Sequence, residues 1–113
     1  MTSEPLPDTR RSVTTKLIVG GNEVYVTAGL YEDGRLGELF IRTAKAGSTV
    51  RGLLESISIL TSVSLQHGVP VDLLCDKMIG MRFDPMDHIY TSVVDLIFKW
   101  VKENFGSKED NER

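Results

Sequence analysis

The hydrophobic pattern of this chain changes period once, close to Arg42, and no other feature restricts its fold as much. Before Arg42 apolar residues alternate, and after it they recur every three or four positions. A period of two sends side chains to opposite faces of a strand. A period of 3.6 lines them along one face of a helix. In the first part, the run Leu17-Ile18-Val19 ends at Gly20-Gly21-Asn22, a strong turn signal. Val24, Val26, Ala28 and Leu30 then alternate with Tyr25, Thr27, Gly29 and Tyr31. The first set predicts an apolar sheet face, the second an outer one. Glu32-Asp33-Gly34-Arg35 is the next turn, with Asp-Gly supplying the positive φ of a tight hairpin. Between Glu38 and Arg42, Leu39 and Ile41 face one way and Phe40 the other. Three antiparallel strands joined by two short turns make a β-meander.

The second part predicts three helices. Val50, Leu53, Leu54, Ile57, Leu60 and Leu65 have helical spacing, with Ser48 as the expected N-cap and Gly68 just beyond the C-terminus. Pro70 suits the first turn of a shorter helix, Val71 to about Ile79. Residues 80–87 read as a loop, in which Pro85 disfavours helical geometry at Asp84. Val93, Val94, Leu96, Ile97, Trp100, Val101 and Phe105 form the stripe of a third helix. Strands first and helices afterwards define an α+β domain, the three helices covering one sheet face. The expected boundaries are a tail over residues 1–12, one domain over 13–105 and a polar tail over 106–113.

Composition narrows the function. At 113 residues there is room for one core and not two. A net charge of −3 disfavours a whole-chain electrostatic grip on nucleic acid or anionic lipid. No apolar run approaches the roughly 20 residues of a membrane-spanning helix. The N-terminal residues lack the apolar segment of a signal peptide, so a reducing, cytoplasmic location is expected. A lone cysteine, Cys75, cannot form an internal disulfide, a zinc cage or a dithiol pair, and among Leu73, Leu74 and Met78 it reads as a small buried hydrophobe. His67 and His88 have no ligand partner at i+3 or i+4, so no metal site is expected. There is no Ser/His/Asp set, no paired carboxylates and no dinucleotide fingerprint.

Two segments could bind something. Arg42, Lys45, Gly47, Ser48 and Thr49 put cations, a glycine and hydroxyls at a helix start, where free N–H groups and the helix dipole suit a phosphate or carboxylate. The plainer reading is that Ser48 caps the helix and Gly47 permits the turn. Lys77, Met81, Arg82 and Phe83 mix charge, a thioether and an aromatic ring in and beside the 80s loop, a composition that suits a partner surface. The alternative is that Met81 and Phe83 tuck beneath the loop.

A family resemblance goes further. Lys16 through Arg42, including Gly29-Leu-Tyr-Glu-Asp-Gly34 and Gly37-Glu-Leu-Phe-Ile41, resembles the C-terminal region of adenosylcobalamin-dependent (class II) ribonucleotide reductases. So do Ala44-Lys-Ala-Gly-Ser-Thr-Val-Arg-Gly-Leu-Leu54, Gln66-His-Gly-Val-Pro-Val71, Asp76-Lys-Met78, Arg82-Phe-Asp-Pro85 and Asp95-Leu-Ile-Phe-Lys-Trp-Val101, in the same order. The related domain family is named for a Thr-Ser-Cys-Pro-Asp (TSCPD) motif, which this sequence lacks. The resemblance covers about residues 8–105. It implies that adenosylcobalamin, the radical cysteine and the substrate site belong to a catalytic barrel absent from this chain, so no cofactor is expected here. The expected role is a non-catalytic accessory or regulatory module in deoxyribonucleotide synthesis that binds a reductase core or a nucleotide. The alternatives are a recruited nucleotide-binding or sequestering protein, and a homo-oligomer formed through an uncovered sheet face or edge.

Overall fold

The first hairpin forms because two glycines meet at its tip. In the computed structural model, which describes residues 3–44, 47–81 and 92–107, Gly20 and Gly21 have φ of 56° and 81°. Left-handed backbone at both central positions matches the right-handed twist of the flanking strands. This turn joins β1 (Ser12–Val19) to β2 (Asn22–Leu30), with Val19 paired directly to Asn22. The second turn holds Gly34 at φ 91° and leads into β3 (Leu36–Thr43). The sheet order is β1-β2-β3, antiparallel throughout. One irregularity sits at Gly29/Leu30, where the register shifts so that Gly29 pairs with Glu38 but Leu30 with Leu36.

Three helices follow: α1 (Ser48–Gln66), α2 (Val71–Met78) and α3 (Val93–Phe105). Val24, Val26, Ala28, Leu39 and Ile41 from the sheet meet Leu54 and Leu65 of α1, Cys75 of α2, and Val94, Ile97, Phe98 and Val101 of α3. The fold is therefore the expected α+β meander with helices on one face. Complete burial of Leu39, Ile97, Phe98 and Val101 contributes roughly 1.5–3 kcal/mol each. α1 packs on β3, whereas α2 packs on α3, which lies over β1.

Several expectations are corrected. Ser48 is not the N-cap: Gly47 is, in extended geometry, and no side chain caps the helix. The expected α1 stripe is only partly internal, because Leu54 and Leu65 are buried together with Ser58 and Thr61 while Val50, Leu53 and Leu60 face outward. Tyr31, expected on the outer face beside Tyr25, is buried; its hydroxyl donates to Glu4 O at 2.5 Å. In α3 the fully buried Phe98 joins the core, and so does Asp95.

The N-terminal residues were expected to be a tail, yet residues 3–11 form an arm bonded to the domain. Glu4 N–H donates to Gln66 O at 2.8 Å. Arg35 donates to both Glu4 carboxylate oxygens, at 3.0 and 2.8 Å, and its guanidinium lies 4.6 Å over the Tyr31 ring. Arg10 clasps the Glu38 carboxylate at 2.6 and 3.0 Å. Leu6 lies against Gly37, where an added Cβ would come within 2.6 Å of it. At the other end, Ser107 N–H donates to Asp72 at 3.0 Å.

Candidate functional site

β3 is an edge strand, and its outer edge decides where a partner could bind. Alternate residues of an edge strand point their N–H and C=O groups away from the sheet. Leu39 is one of these, and its N–H donates to Ser62 Oγ at 2.9 Å. Gly37 is another, and its carbonyl accepts from Gln66 Nε2 at 3.0 Å. Ser62 and Gln66 are four residues apart, so one side of α1 runs along the strand and satisfies its backbone. Ser58, one turn earlier, turns its hydroxyl back to Leu54 O at 2.9 Å.

Between residues 38–43 of the strand and 51–66 of the helix lies a groove of about 710 Å3. Its floor and walls come from Leu39, Phe40, Ile41, Leu54, Ile59 and Val63. Arg42, Thr43, Arg51 and Glu55 also line it, and Arg51 and Glu55 are the only charged residues of α1. A groove of this size and composition suits a side-chain cluster or a small ligand.

The structure treats the two predicted segments differently. Arg42 is exposed and lines the groove, and Gly47, Ser48 and Thr49 lie exposed at the uncapped start of α1, with no acidic residue in the first turn. Lys45 lies outside the described residues. On the other side of the fold, Lys77 is exposed at the end of α2 and Met81 is exposed just beyond it. Arg82, Phe83 and His88 lie outside the described residues. The described residues of the two segments are not brought together, since one set belongs to the β3–α1 edge and the other to the α2–α3 side. Next to Met81, Ser92 caps α3 by accepting from Asp95 N–H at 3.1 Å and also donates to Met81 O at 2.6 Å. The buried Asp95 carboxylate accepts from Gly80 N–H at 2.6 Å and faces the Lys99 ammonium at 2.9 Å.

Arg51, Glu55, Ile59, Ser62 and Val63 were missed in the sequence. The four-residue spacing Ser58-Ser62-Gln66 is the signal that could have found them, since it sets a row of hydrogen-bonding groups along an otherwise apolar helix.

The groove's residues offer hydrogen bonds and charge rather than bond-making chemistry. Cys75 is fully buried, and desolvation, then the nearby Asp72 charge, pushes its thiol up to about 11. Among the described residues no three His, Cys, Asp or Glu side chains could hold a metal ion. No described helix is long and apolar enough to cross a membrane.

The described residues build an α+β module with a largely apolar groove at a sheet edge. By sequence the chain belongs to the TSCPD domain family, matching it over residues 1–105. It is 44% identical over 114 residues to a protein of Rhodopirellula baltica described as a vitamin B12-dependent ribonucleotide reductase. Proteins with the same description from Bradyrhizobium diazoefficiens and Streptantibioticus cattleyicolor are 36% and 40% identical. These matches cover 95%, 95% and 88% of this chain but only 11%, 9% and 18% of the relatives' lengths. No solved structure matches.

Proposed function

We propose that this chain is a non-catalytic accessory module that docks on a vitamin B12-dependent ribonucleotide reductase core through the β3–α1 groove. The observation that carries the reading is the groove itself, an apolar trough with two exposed arginines among its lining residues. Its walls combine an apolar centre with a charged rim, the anatomy of a protein–protein contact. The whole-length relationship to about a tenth of several reductases supports the choice of partner.

The test titrates the chain into a vitamin B12-dependent reductase from which the matching segment has been removed, following binding by calorimetry and ribonucleotide turnover. Binding that alters turnover is expected, with no turnover from the chain alone. Arg42→Glu combined with Arg51→Glu should weaken binding roughly 100-fold, as for paired contacts at the rim of an interface centre. Absence of binding to the core rules the reading out.

A second reading is favoured by one observation. The uncapped start of α1 at Ser48 and Thr49 follows Arg42 closely and carries Arg51 one turn on, an arrangement suited to the phosphates of a nucleotide. Calorimetry of the chain with ribonucleoside and deoxyribonucleoside triphosphates separates the readings, since heat without any reductase core belongs to this one alone.

A further inference from the structure

α1 is apolar on two opposite sides, and the chain itself uses one. The inner side lays Leu54, Ser58, Thr61 and Leu65 against the sheet. The outward side presents Gly52, Leu53, Ser56, Ile59, Leu60 and Val63, with no charge among them. Leu53 and Leu60 are 60% and 67% exposed. A contiguous apolar helix face left in solvent marks a contact surface.

Gly52 is an independent observation. Glycine inside a helix weakens it relative to alanine. A Cβ at Gly52 would meet nothing within 4 Å, so the chain's own packing gives no reason for the residue. A missing side chain on an apolar helix face allows another helix to approach closely.

We propose that this face pairs with α1 of a second copy, antiparallel about a two-fold axis at Ser56. Symmetry then sets Leu60 over the partner's Gly52, Leu53 against the partner's Ile59, and Thr49 beside the partner's Val63. Leu60 then sits over a residue with no side chain and Leu53 packs on an apolar neighbour, and the two-fold repeats each contact, as an isologous interface requires. A 19-residue helix is about 28 Å long, and two such faces bury roughly 1,000 Å2, near the lower bound for specific association. A lipid surface is a poorer occupant, because interfacial helices carry Lys and Arg on their polar face and the polar side of α1 is turned onto β3. The contact uses a surface other than the sheet face or edge expected for an oligomer; it shares Ile59 and Val63 with the wall of the groove and leaves Arg42 and Arg51 outside it.

Sedimentation equilibrium of the full chain from about 1 to 500 μM tests the proposal, with anionic phospholipid vesicles as a second arm. The expected result is a monomer–dimer equilibrium with a dissociation constant on the order of 10 μM. Leu60→Glu, at an exposed position, should raise that constant roughly 100-fold with an unchanged circular dichroism spectrum. Gly52→Leu should also raise it while raising the monomer's melting temperature, because it fills the hole and improves the helix. The Arg42→Glu, Arg51→Glu pair should leave dimerisation intact, which separates this proposal from core docking. A chain monomeric at 500 μM overturns the proposal, as does a dimer indifferent to both α1 substitutions. A monomer that binds vesicles, or whose core binding is lost in Leu60→Glu, assigns the face to another occupant and overturns it equally.

Discussion

Cys75 shows how position decides the chemistry of a single residue. Its thiol has no exposure and is raised to about 11, so at pH 8 the thiolate is about a hundredfold scarcer than at an ordinary thiol of 9.0. Reaction with a disulfide reagent at pH 8 should therefore be at least about 100-fold slower in the folded chain than in denaturant; equal rates would show the site to be open. The arm has its own ionisation window. Arg35's hydrogen bonds, above all, hold the Glu4 carboxyl below its ordinary 4.5, so Glu4 favours the docked arm above that pH and stops doing so as pH falls through the depressed value. Burial, above all, raises the Tyr31 phenol above 10.0, so its contribution is complete below pH 10.0 and is lost as pH rises through the raised value. Replacing Tyr31 by Phe should cost about 1 kcal/mol at pH 7, and the gap between wild type and variant should close in alkali. Chemical denaturation of both proteins from pH 7 to 11 checks this, and a gap that stays constant contradicts it.

At the scale of elements, the Ser62 hydroxyl links α1 to β3. Ser62→Ala leaves the Leu39 N–H without its partner in a half-buried place and should destabilise by about 1–2 kcal/mol. In a domain this size that lowers the melting temperature by roughly 4–16 °C, measurable by calorimetry; a shift under a degree would show the contact to be incidental. The strands were legible because their turns are: Gly20-Gly21 and Gly34 need positive φ, and the alternation through Val24, Val26 and Ala28 has one solution. α1 was legible as a helix but not in its orientation. With Leu53 and Leu60 on one side and Leu54 and Leu65 on the other, periodicity alone cannot say which side meets the sheet. Hydrogen bonding decides it, because Ser62 and Gln66 satisfy an edge strand and leucines cannot. The groove was half legible for the same reason: Arg42 marks its rim, and the rest depends on how the helix is turned.

For the whole molecule, the proposed pairing through α1 would make stability depend on concentration. The melting temperature should rise by about 5 °C over a hundredfold increase in concentration and stay constant in Leu60→Glu, a comparison scanning fluorimetry makes directly. The architecture was readable from the order of elements, strands then helices. The arm was not, because its contacts with Gln66, Glu38 and Arg35 join distant parts of the chain and leave no local periodicity. Those contacts also set an order of events. Glu4 can reach Gln66 only after the meander has formed and α1 has settled along β3, so the arm is expected to dock late, and Glu4→Ala should speed unfolding in stopped-flow denaturation while leaving the folding rate unchanged. Interactions made that late hardly affect how fast a chain folds but slow its opening. An arm docked in that order would be a latch, lengthening the lifetime of the folded state without speeding its arrival.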